Sequence, residues 1–201
     1  MAISTIIFDV GGVIVRTVDP TPRQQWEAKL GLNPGQLEYL FFNSPGGHAA
    51  QRGERTTTEQ WAWVGQQLNL NQSDLQQLSV DFWAGDEVDP NVVNLFRQLH
   101  GPYQTAIISN AMDNLHQALA DWGITNDFDL IVSSADEGIM KPDATIFKNT
   151  IKRLNCQPNE AVFIDDFKHN IDGAHAVGLH GIHYTPTTNL SAELEKLGVN
   201  L

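Results

Sequence analysis

A chain of 201 residues, 41% of them apolar, carries enough material for one full hydrophobic core and a small inserted unit, which excludes a disordered protein. Its formal charge of −12 excludes nucleic-acid binding through the overall field, because phosphate backbones need concentrated Lys and Arg. The single cysteine, Cys156, excludes an internal disulfide; with no long apolar run and no basic leader before the first apolar stretch, the chain reads as cytoplasmic, without a membrane partner.

In chain order, the first predicted element is a strand over Thr5–Asp9 that runs into Gly11-Gly12. From about Thr17 to Gly85 the pattern offers no strand. Pro22–Leu30 reads as a helix closed by Gly31, and Pro34–Phe42 as a second with Pro34 at its first position. Asn43–Thr57, rich in Gly and polar residues, reads as a loop. Thr58–Leu68 places Trp61, Val64 and Leu68 on one helical face, and Ser73–Trp83 is a fourth helix. Beyond Asp89 strands and helices alternate: Thr105–Ser109, then helix Asp113–Trp122, strand Phe128–Ser133, helix Asp143–Leu154, strand Ala161–Asp165, helix Asn170–Val177 and strand Gly181–Tyr184. Apolar runs without polar alternation imply strands buried on both faces, hence a parallel sheet covered by helices. The expected fold class is α/β, a Rossmann-like doubly wound parallel sheet. Residues 1–16 and 86–201 form its core, and residues 17–85 a small α-helical cap over the mouth of the sheet.

Four short elements fall at the C-terminal ends of predicted strands, the edge where open parallel sheets bind ligands. They are Asp9-Val10-Gly11-Gly12, Ser109-Asn110, Lys141-Pro142, and Asp165-Asp166 with Asn170 four residues beyond. Singly, each has an ordinary explanation: a helix cap, a turn, a solvated lysine, surface charge. Together they bring three carboxylates, one lysine and small polar donors to one crevice. So many acids repel one another unless a divalent cation neutralises them, and oxygen donors without Cys or His select magnesium over zinc.

The motifs DVGGV, SN, KPD and FIDD, in this order and with a helical insertion after the first, resemble those of the haloacid dehalogenase-like hydrolases along the whole chain. Gln51-Arg52-Gly53-Glu54 with Thr58-Glu59-Gln60-Trp61 is similar to the cap of the phosphatase domain of soluble epoxide hydrolases and of bacterial sugar-phosphate phosphatases. The resemblance implies a magnesium-dependent phosphohydrolase acting on a small phosphorylated metabolite, with Asp9 as nucleophile and an aspartyl-phosphate intermediate. It further implies Mg2+ held by Asp9, the Gly11 carbonyl and Asp166, with Asp165 acting through water and Asn170 orienting that end of the site. On the same resemblance Lys141 would be the catalytic cation. Ser109, Asn110 and the backbone of Gly11 and Gly12 would, by the same resemblance, bind the phosphate. One position departs from the family: Gly11 stands where most of its phosphatases carry an acid–base Asp, a loss worth about 10²–10⁴ in rate.

Other residues are weighed against plain roles. His48 is a substitute acid or an exposed loop residue; Arg16 binds an anion or pairs with a nearby acid. Asp113 is expected to cap its own helix, and Trp61, Trp63 and Trp83 to form the cap core. The rival functions are a 2-haloacid dehalogenase, a phosphomutase (which depends on the missing acid–base Asp) and an impaired protein that only binds a phosphorylated ligand. The oligomeric state and natural substrate are open at this level.

Overall fold

The computed structural model describes residues 2–201. Five parallel strands form the main sheet: β1 (Thr5–Phe8), β4 (Gln104–Ser109), β5 (Leu130–Ser133), β6 (Ala161–Asp165) and β7 (His180–His183), while β2 (Val15–Thr17) and β3 (Asp86–Val88) make a separate ribbon. The sheet order is β5-β4-β1-β6-β7, so β1 is central, with β4 on one side and β6 on the other. The chain winds outward through β4 and β5, then crosses β1 to add β6 and β7. That reversal beside β1 opens a crevice at the strand ends.

Burial on both faces explains the unbroken apolar runs. Ile6, Phe8, Ile107 and Ile164 join one cluster under the helices Pro90–Leu99, Leu115–Asp121 and Leu190–Lys196. Ile7, Ala106, Ile108 and Phe163 face the other way, against Ala144–Leu154 and Lys168–Ala176. The period-two pleat sends neighbours to opposite faces, and both are dry.

The helices Thr21–Leu30, Gln36–Glu38, Pro45–Gln51, Thr57–Gln67 and Gln72–Asp81 gather around a third apolar cluster. At its centre are Phe41 and Phe82, fully buried, with the Phe41 ring 4.3 Å from Trp61 and 4.9 Å from Phe82. Trp61 and Trp63 are only half-buried and Trp83 is exposed, so phenylalanines rather than these tryptophans form the centre of the packing. Met112, from the segment after β4, also enters this cluster.

The structure departs from the sequence-based elements in four places. The antiparallel β2–β3 ribbon, Val15 opposite Val88, was too short to show a period. The expected loop Asn43–Thr57 contains the helix Pro45–Gln51. Its two glycines suggested a loop, yet Ser44 caps the helix by accepting from Gly47 N, Pro45 starts it, and a Cβ at Gly47 would lie 2.5 Å from the Phe41 carbonyl oxygen. Asp113 does not cap its own helix, which begins at Leu115; instead it accepts from Thr57 N and Oγ1 at 2.8 and 2.5 Å, at the start of Thr57–Gln67. Pro90–Leu99 and Leu190–Lys196 are helices that the sequence reading did not single out.

Candidate active site

β1 delivers Asp9 to the centre of the C-terminal edge, and β6 delivers Asp165 beside it. Between them stands Lys141, whose side chain is fully buried. Its Nζ lies 2.9 Å from Asp9 Oδ1 and 2.7 Å from Asp165 Oδ2. A lysine that far from water is tolerable only because two carboxylates face it. Burial alone would lower its pKa, but Asp9 and Asp165 together raise it, so it holds its proton.

Each member is oriented by others. Asn110 holds the Lys141 main chain at both ends of its amide: Oδ1 accepts from Lys141 N at 2.8 Å and Nδ2 donates to Lys141 O at 3.0 Å. Asp165 accepts from Phe167 N at 2.7 Å and from Asn170 Nδ2 at 3.1 Å, besides Lys141. Asp9 Oδ1 accepts from Val10 N at 2.7 Å as well as facing Lys141. Ser109 ends β4, buried at 4% exposure, next to Asn110.

Asp166 differs from its neighbour. Its Oδ1 is buried without a hydrogen-bond partner. Gly12 lies against it: with φ at +75°, a Cβ there would fall 2.2 Å from Asp166 Oδ2, so only glycine lets the carboxylate occupy this space. Gly11 is the opposite case, with nothing within 4 Å of an added Cβ. A side chain at this position would begin in open space.

Oxygens of Asp9, Asp165 and Asp166 all lie within 4.8 Å of one another. One lysine cannot neutralise three acids. Burial pushes the Asp9 carboxyl up to about 7, Lys141 pulling it down and Asp165 pushing it further up. Burial and Asp165 likewise push Asp166 up to about 6. Three close carboxylates, of which Asp9 and Asp166 resist ionising, with one buried carboxylate oxygen unpartnered, fit a hard divalent cation.

The sequence-predicted residues Asp9, Gly11, Gly12, Ser109, Asn110, Asp165 and Asp166 thus fall at neighbouring strand ends or in the turns after them, whereas Lys141 is not at the end of β5 but beyond the short helix Ser134–Glu137, from which it reaches back to Asp9 and Asp165. His48 and Arg16 have other surroundings. His48 is an exposed residue of Pro45–Gln51, and Arg16 is ion-paired with Asp89, which also caps Pro90–Leu99 through Asn91 N. Sequence reasoning missed His183, whose Nε2 donates to the Asp166 carbonyl oxygen at 2.8 Å. No spacing rule links the end of β7 to the end of β6, so nothing in the sequence marked it. Among the described residues, no helix is long and apolar enough to cross a membrane.

A family model described as haloacid dehalogenase-like hydrolase matches residues 3–178. The chain is 30% identical to mouse acyl-CoA dehydrogenase family member 10, over 96% of this chain but only 19% of that protein's length. It is 28% identical to a sesquiterpene phosphatase of Aspergillus oryzae, over 95% of this chain and 94% of that one. An enzyme of the HAD family from Bacteroides thetaiotaomicron, solved in complex with magnesium and inorganic phosphate, shares the fold with a TM-score of 0.79 at 20% identity, over 96% of this chain and 99% of that one.

Proposed function

Since the chain belongs to the haloacid dehalogenase-like hydrolases, we propose that it hydrolyses small phosphomonoesters, with Asp9 as nucleophile and magnesium as its metal. The observation that carries this reading is the group of three close carboxylates, two of which share one buried lysine while the third keeps a buried oxygen unpartnered. The solved relative with magnesium and phosphate and the phosphatase among the curated relatives point the same way.

Asp9, Asp166 and the Gly11 carbonyl would hold the ion, which supplies charge neutralisation for a dianionic substrate. Asp9 Oδ1 accepts from Val10 N and faces Lys141, which fixes the orientation of the carboxylate that attacks phosphorus. The O–P bond to Asp9 forms as the bond to the leaving oxygen breaks, and water then cleaves the acyl phosphate, releasing phosphate and restoring the carboxylate. Lys141 holds Asp9 in place and offsets charge at the attacking end. Asp165, with its oxygens already accepting from Lys141, Phe167 N and Asn170, supports the site rather than reacting. Ser109 and the turn after Asp9 bind phosphate oxygens, while the Asn110 side chain, bound to the Lys141 main chain, chiefly positions that residue. Residues 17–85 act as the cap that closes over this edge.

With Gly11 in place of a general acid, the leaving oxygen departs with little protonation. Aryl, acyl and anomeric sugar phosphates are therefore better substrates than alkyl phosphates, each 1.36 kcal/mol of leaving-group stabilisation in the transition state being worth about tenfold. A dehalogenase would have no use for the unpartnered Asp166 oxygen, since attack on carbon needs no metal. The test is release of inorganic phosphate from an aryl phosphate by wild type, wild type in EDTA, and Asp9→Asn, beside halide release from a 2-haloacid. Phosphate release lost in the last two arms supports the reading. Halide release that survives EDTA would establish the dehalogenase, and phosphate binding without turnover the impaired binder.

A further inference from the structure

We infer that His183 is a positioning residue for Asp166, setting the place of the metal-binding carboxylate through its main chain; the inference rests on the magnesium reading above. The two adjacent acids are held in different ways. Asp165 is gripped through its side chain by Lys141, Asn170 and Phe167 N. Asp166 Oδ1 has no such partner, so the side chain depends on how its backbone is fixed.

Strand β6 ends at Asp165, whose carbonyl still accepts from Tyr184 N at 2.9 Å in the manner of the β6–β7 ladder. At Asp166 the chain has left the sheet, and its carbonyl is taken instead by the His183 imidazole at 2.8 Å. One residue further, Phe167 N returns to Asp165 Oδ1. The Asp166 main chain is thereby tied on both sides, to the end of β7 and back to Asp165. Gly12 lies against the carboxylate, where a Cβ would fall 2.2 Å from Asp166 Oδ2. A carboxylate with a fixed backbone and an unengaged oxygen is preorganised for a cation without being locked to a protein partner.

His183 is exposed and lines an open groove with Thr187, Asn189 and Glu193, so truncating it creates no buried cavity. The stabilities of His183→Ala and wild type should therefore agree closely, which separates a positioning role from a structural one. The experiment is direct Mg2+ binding by calorimetry, with thermal melting alongside, for wild type, His183→Ala and His183→Gln. The glutamine amide can donate to the same carbonyl. Loss of an outer-shell partner typically weakens metal affinity about 10–100-fold. A fall of that size in His183→Ala, largely restored in His183→Gln, supports the inference. Wild-type affinity in His183→Ala overturns it, as does an equal loss in both variants, which would make the imidazole itself the requirement. If His183→Ala melts early, His183→Gln decides alone: near-wild-type affinity supports the inference, a full loss overturns it. A wild-type chain that takes up no Mg2+ overturns the magnesium reading, and this inference with it.

Discussion

The strand-end site and the helical region over residues 21–81 are built on opposite principles. The site buries charge: Lys141, Asp9 and Asp165 sit in the interior, where the lysine offsets the charge of the two carboxylates. The helical region buries aromatic surface around Phe41 and Phe82, and its buried polar side chains chiefly satisfy main-chain groups, as Gln60 Nε2 does by donating to the Phe41 carbonyl at 2.9 Å. Arg23 bonds Asp86 and the Phe82 carbonyl, Asp113 accepts from Thr57, and Ser134 Oγ donates to the Gln51 carbonyl at 2.6 Å. Apolar packing is non-directional and tolerates adjustment, whereas a buried ion network fails as a unit once one member is gone. The site therefore keeps its geometry at some expense in stability, and the helical region can vary around it.

Removing the central cation breaks this comparison most severely. Lys141→Met leaves two buried carboxylates facing each other, and breaking a buried pair typically costs about 3–5 kcal/mol. Denaturant unfolding should register that loss together with loss of turnover, and pairing the change with Asp165→Asn should recover part of the stability. Stability near wild type in Lys141→Met would mean that the site carries less strain than its burial implies.

The two adjacent glycines offer a sharper contrast. Gly12→Ala forces a Cβ into the Asp166 carboxylate from a left-handed backbone, and displacement of that carboxylate should weaken Mg2+ binding by about 10–100-fold. Gly11→Ala meets open space and should shift stability by less than about 0.5 kcal/mol. Calorimetric titration and melting of both variants measure the difference. Equal effects would sink the steric account of Gly12.

Acidity probes the same network more gently. Without a cation, Asp9 (up to about 7) and Asp166 (up to about 6) keep protons in the folded state that the unfolded chain, at a carboxylate value of 3.8, releases. The folded state then binds more protons between those values, so the stability contributed by these groups falls as pH rises through that window. In EDTA, wild type should lose more melting temperature between about pH 5 and pH 7.5 than Asp9→Asn does. Added Mg2+ should restore wild type at the higher pH. A slope identical in the two proteins would show that Asp9 does not titrate there.

The smallest effect belongs to the helical margin. Asp113→Ala removes the acceptor for Thr57 N and Oγ1, a helix-start contact of the kind worth about 1 kcal/mol. Hydrogen exchange should quicken over Thr57–Gln67 while Mg2+ affinity stays unchanged. If affinity fell instead, the two regions would be more tightly coupled than their separate cores suggest.

Much of this molecule was legible in its residues. The unbroken apolar runs TAIIS and AVFID read as strands buried on two faces, which implied a parallel, helix-covered sheet, and the polar residues at their ends, Ser109-Asn110 and Asp165-Asp166, marked the edge that matters. Local period and composition suffice there because they are properties of consecutive residues. The insertion of Lys141 between Asp9 and Asp165, the grip of Asn110 on the Lys141 main chain, the reach of Asp113 to Thr57 and the bond from His183 to Asp166 were decided by tertiary structure alone. Each joins residues distant in sequence whose meeting depends on the order β5-β4-β1-β6-β7 and on how each chain segment leaves its strand. Neither is written in the spacing of neighbouring side chains, because strand order is selected by how whole faces bury against one another.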